Sequence, residues 1–472
     1  MWTIGCQMNE ADAARAGALL ERHGWRAVED VREADLAILN TCVIRQQSED
    51  KAVGRLAYMA ELKKHKPGLA VALMGCMVGR DGGKGQGLAE RFPQVDLFLG
   101  PSELGGLEEW LEEREEEDGT DGTSGTDGTG AGRVTAYVPV VLGCSHACSY
   151  CIVPYRRGAE RSRGSGEVLG EVRGLAERGV KEVTLLGQIV DRYGLDREGE
   201  MGLAGLLRAV AKVDGIERVR FLTSHPNWMT EDILDAVGEE PKICPAFEIP
   251  VQAGNDEVLE RMRRGYKAED WLRLVERIRG RFPEAGISTD VIVGFCGETE
   301  AQFGDTVRLM EASRPDMMRI AKYSPRPQTL SARTMADDVP PEEKERRRVE
   351  LEGVLRRILE EKHAGMVGRE VEILVEGVEG NGRRRGRTRE GKLVFAEAPG
   401  VGAGERLRVQ VEWAGAFSWI GKGVLATKDA KGAKRREGGE REGGGECAGG
   451  EREGGRRNGH GQNSYGGDDG EV

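Results

Sequence analysis

The sequence predicts an α/β protein of three domains. These are an N-terminal parallel α/β domain, a central partial (β/α)6 barrel of TIM-like form, and a small C-terminal all-β barrel of OB-like type. Three observations carry that expectation. Apolar segments 2–5, 36–41 and 71–75 each run into a cysteine, and Cys6, Cys42 and Cys76 stand 36 and 34 residues apart, the length of a β-α-β unit. From residue 134, six strand-like segments alternate with helical ones. Between residues 371 and 425, short apolar strands alternate with Gly-rich turns.

In the first domain, residues 1–106, segments 11–23 and 50–64 carry apolar residues at helical spacing, and 95–99 supplies a fourth strand. Parallel strands end along one edge of their sheet, so the three cysteines are expected to converge. One cysteine is an ordinary buried residue; three at equivalent strand ends favour a shared metal cluster. Residues 107–133 contain an acidic run and then a Gly/Thr/Asp repeat, and read as a flexible linker. The central domain spans 134–363, with strands expected at 136–142, 182–186, 218–223, 246–251, 288–293 and 317–322. Helices are expected at 166–178, 231–237 and 270–281, followed by a strongly charged one at 341–363. The last domain, 364–426, has strands expected at 371–375, 392–395, 407–413 and 420–425. The tail 427–472, rich in Gly, Glu and Arg and holding the isolated Cys447, reads as disordered.

Chemistry concentrates in the cysteines. Nine in a chain of 472 residues with no basic and apolar leader argue for metal or redox work rather than a disulfide framework. Cys144, Cys148 and Cys151 form a C-x3-C-x2-C triplet after an apolar segment. Three thiolates at that spacing suit three irons of a [4Fe-4S] cube and leave the fourth iron open to a substrate. A zinc site would show a second close pair of ligands, but the next cysteine is Cys244. His146, inside the triplet, is expected to face solvent; Cys244 and Cys296 are expected to be structural. The net charge of −12 gives no global attraction for nucleic acid. The charge is uneven, however, and Arg383, Arg384, Arg385, Arg387 and Arg389 form a local basic stretch. No apolar run approaches the roughly 18 residues a membrane span needs, so a cytoplasmic protein is expected.

The runs GCQMNEAD (5–12), GCSHACSYCIVPYRRG (143–158), LLGQ (185–188), FLTSHP (221–226), IPVQAGNDEVLERMRRGY (249–266), DVIVGFCGETEAQF (290–303) and YSPRPQT (323–329) resemble the radical S-adenosylmethionine (radical SAM) methylthiotransferases. GCQMN, LLGQ and TSHP are similar to the tRNA-modifying branch, and RGRTREGKLVF (385–395) is similar to the TRAM domain that ends such proteins. The resemblance implies that Cys144, Cys148 and Cys151 hold the [4Fe-4S] cluster whose open iron chelates S-adenosylmethionine. It implies that Cys6, Cys42 and Cys76 hold a second, auxiliary [4Fe-4S] cluster that supplies or activates sulfur. A 5′-deoxyadenosyl radical would take hydrogen from carbon 2 of an N6-isopentenyladenosine beside the anticodon, and a methylthio group would be installed there. Gly187, Gln188, Gln252, Asp290 and Gly294 are the implied contacts to S-adenosylmethionine. The basic stretch on the last domain is the implied clamp on RNA phosphates. The implied partners are the tRNA anticodon loop and an electron donor of flavodoxin or ferredoxin type, with no membrane and a monomeric enzyme.

Four departures from the family pattern stand out. The first strand is short, Ile189 replaces an asparagine after LLGQ, Ser145 replaces the asparagine usual after the first cluster cysteine, and Cys296 stands where proline is usual. The competing readings are a sister enzyme acting on threonylcarbamoyl-adenosine in tRNA or on a ribosomal-protein aspartate, and a non-catalytic iron–sulfur RNA-binding redox sensor.

Overall fold

The computed structural model describes residues 1–44, 46–84, 87–118 and 133–424; the expectations for 119–132, for the tail and for Cys447 lie outside them. The first domain contains β1 (Trp2–Ile4), α1 (Gln7–Arg22), β2 (Leu36–Thr41), α2 (Gln46–His65), β3 (Ala70–Gly75), α3 (Leu88–Arg91), β4 (Leu97–Leu99) and α4 (Gly105–Asp118). Its four strands are parallel and lie in chain order. β3 is buried along its whole length, as a strand covered on both faces must be, and its sequence is accordingly a continuous apolar run. Alternate residues feed two cores. Leu39, Val71 and Leu73 meet Ala52, Leu56 and Met59 of α2. Ile38, Ala72 and Met74 meet Ala16 and Leu19 of α1 with Leu107 and Leu111 of α4.

That last contact corrects the expected linker. Residues 105–118 are helical, because Leu107 and Leu111 bury one face while Glu108, Glu109, Glu112 and Glu113 stay exposed.

The central domain runs β5 (Thr135–Pro139), β6 (Val141–Leu142), α5 (Val153–Arg157), β7 (Arg161–Ser162), α6 (Ser165–Glu177), β8 (Glu182–Leu186), α7 (Leu203–Ala211), β9 (Arg218–Leu222) and α8 (Glu231–Glu239). It continues through β10 (Ala246–Glu248), α9 (Asp256–Arg261), α10 (Ala268–Arg281), β11 (Gly286–Val293), α11 (Glu300–Ser313), β12 (Met317–Lys322), α12 (Leu330–Thr334) and α13 (Pro341–His363). β5-β8-β9 and β10-β11-β12 are two parallel sheets in chain order. A parallel bridge from Val219 to Ile243 and the Ser224 N–H on the Glu248 carbonyl (2.9 Å) join them, giving the expected six-stranded partial barrel.

Two expected strands are shorter, each for a reason in its own sequence. Segment 136–142 divides at Pro139 and Val140, since proline has no N–H to donate, and β6 pairs antiparallel with β7. Segment 246–251 ends at Glu248, two residues before Pro250.

β13 (Glu370–Val378), β14 (Arg384–Arg387), β15 (Leu393–Glu397), β16 (Arg406–Ala414) and β17 (Ser418–Gly423) close into a barrel around Ile373, Val375, Val394, Val409 and Val411. The basic stretch is therefore partly a strand, β14. This barrel is docked under the central domain at the amino-terminal ends of β8 and β9. Arg218 donates to the Arg387 carbonyl (2.6 Å), and Arg220 donates to those of Thr388 and Arg389 (both 2.8 Å). Arg389 returns a bond to the Ile243 carbonyl (2.9 Å).

His363, ending α13, completes the joint. Its Nδ1–H donates to the Gly415 carbonyl (2.9 Å), and its ring stands edge-on to Trp419. Burial, then the Lys392 charge, pushes its pKa down to about 4. Above pH 6.5 the ring is neutral in the folded and unfolded chain alike. Below 6.5 the unfolded chain takes up the proton first, so this group removes stability as pH falls from 6.5 to 4. Urea midpoints at pH 7 and pH 5 should therefore differ less in His363→Phe than in the unaltered chain. An equal fall in both would contradict this account of the joint.

Candidate active site

Three of the four strands of the first sheet deliver a cysteine to one edge. Cys6 follows β1, Cys42 follows β2 and Cys76 follows β3. A pair of buried asparagines holds this edge together. Asn9 Nδ2 donates to Asn40 Oδ1 (2.9 Å) and to the Thr41 carbonyl (2.8 Å), while Asn40 Nδ2 donates to the Asn9 carbonyl (2.7 Å). The start of α1 is thereby tied to the end of β2, which brings Cys6 toward Cys42. Burial, then the closeness of Cys76 and Cys6, pushes the Cys42 thiol up to about 12, and burial also raises Cys76. Thiols in such a place keep their protons until a metal replaces them.

The second trio lies on the loop after β6. Gly143 sits at φ +73°, and a Cβ there would lie 2.3 Å from the Ala159 carbonyl oxygen, so only glycine makes this turn. Cys144 N–H is bonded to the Gly158 carbonyl (3.0 Å). Ser149 pins the loop to α9 by its N–H on the Met262 carbonyl (3.0 Å) and its hydroxyl on that of Arg261 (2.7 Å). Burial pushes Cys144 up to about 11 and Cys151 to about 12. Cys148 differs. Burial opposes its ionisation, but the His146 side chain and the Arg264 charge outweigh that and bring it down to about 7. Arg264 Nη1 donates to Cys148 Sγ at 3.1 Å, and the His146 N–H lies 3.4 Å from Cys144 Sγ.

Among the described residues, no three His, Cys, Asp or Glu stand together as ligands of one metal ion. A cube spreads its three thiolates over three irons instead. Two all-cysteine trios, each buried or half-buried and each with N–H donors on sulfur, fit that group.

One side chain joins the trios. Arg157, at the end of α5 and six residues after Cys151, reaches into the first domain. Its Nε donates to Cys76 Sγ (3.2 Å), Nη1 to Ser102 Oγ (3.1 Å) and Asp12 Oδ2 (3.3 Å), and Nη2 to Asn9 Oδ1 (3.1 Å). The Arg157 and Asp12 side chains are 3% and 0% exposed. Burial works against the Arg157 charge, but Cys76, Asp12 and Cys6 outweigh it and keep the guanidinium protonated. Sequence reasoning quoted the motif that contains Arg157 and Asn9 without assigning either a task. The asparagine in GCQMN and the second arginine of YRRG were the available signals.

His146 does not face solvent. Its ring packs edge-on to His225 (4.9 Å) and Trp228 (5.5 Å), and its Nε2 is buried. Burial, then Arg264, drives the His225 pKa down to about 2, so His225 is a neutral wall of the site.

The implied cofactor residues divide. A Cβ at Gly187 would lie 2.9 Å from Val190 Cα, and one at Gly294 would lie 2.3 Å from Lys344 Cγ. Both glycines are thus required by packing against protein. Asp290, half-buried on β11, shares Arg319 with the buried Glu248. Gln188 follows β8 half-buried. Gln252 follows β10 at φ +76° and is bridged through its backbone to β11. Ser102, Thr223, Gln252, Arg263, Arg314 and Gln328 also adopt positive φ, a strained backbone for residues with a Cβ.

The basic stretch is largely engaged. Arg384 donates to the Val401 carbonyl (2.8 Å) and Arg389 to that of Ile243. Arg383 and Arg385 pair with Glu397 and Glu379 on the surface, and Arg387 pairs with the largely buried Glu376.

Two family profiles match this chain. One is described as the Radical SAM superfamily and covers residues 138–310; the other, described as uncharacterized protein family UPF0004, covers residues 1–100. Each profile encloses one trio. The chain is 42% identical over 398 residues to a tRNA-2-methylthio-N(6)-dimethylallyladenosine synthase of Dehalococcoides mccartyi, covering 84% of this chain and 91% of the relative. A protein of the same name from Roseiflexus sp. is 41% identical over 91% of this chain and 90% of its own. One from Dictyoglomus thermophilum is 40% identical over 89% and 97%.

Replacing Arg157 by Met leaves the Asp12 carboxylate buried without its partner, a change that costs about 3–5 kcal/mol. The thermal midpoint should fall by several degrees, and the double change Arg157→Met/Asp12→Asn should recover much of it. A single variant as stable as the unaltered chain would rule out this role.

Proposed function

The chain belongs to the tRNA-2-methylthio-N(6)-dimethylallyladenosine synthase family of radical SAM enzymes, and from that premise we propose that it methylthiolates carbon 2 of N6-isopentenyladenosine beside a tRNA anticodon. The carrying observation is Arg157, which leaves the triplet of one domain and bonds a cysteine of the other trio. In this reading Cys144, Cys148 and Cys151 hold the [4Fe-4S] cluster that engages S-adenosylmethionine, and Cys6, Cys42 and Cys76 hold an auxiliary [4Fe-4S] cluster. When bound, these groups supply one-electron chemistry at an aromatic carbon and the sulfur to be inserted, which no side-chain acid or base provides.

The chain's own residues do the positioning. Arg264 fixes Cys148 through its N–H on sulfur. His225, Trp228 and Tyr266 form a close-packed aromatic wall against His146 and keep water from the triplet. Met8 and Ala11 of α1 pack on Leu186, Tyr137 and Leu222 of the barrel strands, so the first domain covers the barrel where its trio meets the other. Gly187, Gln188, Gln252, Asp290 and Gly294 are the contacts assigned to S-adenosylmethionine, and packing against protein also demands glycine at 187 and 294. A base inside a stacked loop must be turned outward to enter such a site. Arg383 and Arg385, whose carboxylate pairs are exposed and weak, and Arg387, whose side chain is half exposed beside a buried Glu376, are the members of the basic stretch left to meet RNA phosphates. A flavodoxin or ferredoxin is the assigned electron donor, and the enzyme is assigned as a monomer. Among the described residues no helix is long and apolar enough to cross a membrane.

Nucleoside mass spectrometry of tRNA from a deletion strain tests the activity. The methylthio nucleoside should vanish and N6-isopentenyladenosine accumulate, with the gene restoring the first. Unchanged methylthio nucleoside in the deletion strain would refute the reading. Cys6→Ala should retain cleavage of S-adenosylmethionine while losing sulfur insertion; loss of both would refute the assigned division between the trios.

A further inference from the structure

Two adjoining clefts run along the seam between the first domain and the helix that follows the 144–151 triplet. One, about 210 Å³, is lined by Arg80, Asp81, Pro154, Tyr155, Arg156 and Gln328. The other, about 240 Å³, shares Arg80 and includes Ser102, Glu103, Gly143, Arg157, Glu160 and Arg161, with Glu160 held by Arg192. Arg80 lies four residues beyond Cys76, and Arg156 five beyond Cys151. The seam is thus bounded by the loops that carry both trios.

Most arginines near the site are already neutralised. Arg157 has Asp12, Arg192 has Glu160, Arg319 has Glu248 and Arg326 has Glu49. Among the described residues, Arg80, Arg156 and Arg161 have no carboxylate within 4.0 Å and make no side-chain hydrogen bond. Arg156 Nε is buried and has no acceptor, a state that costs free energy unless a ligand supplies one. The acids whose charge acts on Arg156 are Glu49 and, in the same cleft, Asp81. Glu49 is taken by Arg326, and Asp81 accepts the Gly83 N–H (3.1 Å). Tyr155, on the rim, is 50% exposed. Three unneutralised guanidiniums beside an exposed aromatic ring are the components that bind single-stranded RNA through its backbone and a stacked base.

We propose that this seam takes a backbone phosphate of the RNA substrate next to the base presented to the two trios, with Tyr155 as the stacking surface for a neighbouring base. The inference rests on the tRNA-modifying reading above. It assigns phosphate recognition near the chemistry to the domain seam, in addition to the barrel arginines.

Fluorescence anisotropy on the full-length, iron-loaded protein tests it, with an anticodon stem-loop RNA carrying N6-isopentenyladenosine, titrated at several salt concentrations. Arg80→Ala, Arg156→Ala and Arg161→Ala should each weaken binding about 3- to 10-fold and lower the salt slope by about 0.7–1. Arg80→Lys should keep the slope, and Tyr155→Ala should weaken binding with the slope unchanged. Arg161 is exposed, so its variant keeps the test open if a change at Arg156 disturbs folding. Unaltered affinity and slope in the arginine variants, with the unaltered protein binding normally, would overturn the inference alone. An unaltered protein that neither binds nor methylthiolates this RNA would overturn the functional reading, and the inference with it.

Discussion

A guanidinium buried between two domains has to be neutralised on every side, and Arg157 is. Asp12 supplies the opposite charge, Ser102 and Asn9 supply neutral acceptors, and the fourth direction points at Cys76 Sγ. These partners are assembled only when the first domain lies against the central one. The ion pair is therefore an instruction about domain placement more than a source of net stability, since taking two charges out of water offsets most of their attraction. Its consequence is chemical. The trio of one domain is held within one side chain of the loop that carries the other.

Each trio also solves the problem of keeping thiolates in a dry place. Burial alone leaves Cys42, Cys144 and Cys151 as thiols. N–H groups aimed at sulfur, from Arg157, Arg264, Ile44 and His146, favour the ionised form that iron needs. The two sites use the same device, a guanidinium donated to one of three sulfurs. The C-terminal barrel is fastened differently, by Arg218, Arg220 and Arg389 on backbone carbonyls, at the opposite ends of the barrel strands from the chemistry.

Much of this was legible in the residues. Strand ends were readable because apolar runs of the right length stop at Cys42 and Cys76, and the triplet's spacing names its own chemistry. The missing parts share a cause. Helix α4 looked like linker because its buried face is two leucines among acids. β14 was not among the expected strands because RRGR has no apolar alternation. The packing demand on Gly187 and Gly294, from the Val190 backbone and the Lys344 stem, is invisible in one dimension. Arg157 has its carboxylate 145 residues away in the chain, so no local pattern gives it a partner.

The central claim is that the chain carries two separate clusters, brought together by a single side chain. Iron content with Mössbauer spectroscopy after anaerobic reconstitution tests it most directly. The account predicts about eight irons per chain, with about four left when Cys144, Cys148 and Cys151 are all changed to Ala, and about four left when Cys6, Cys42 and Cys76 are. About four irons in the unaltered protein, lost entirely on changing either trio, would mean one shared cluster and contradict the account.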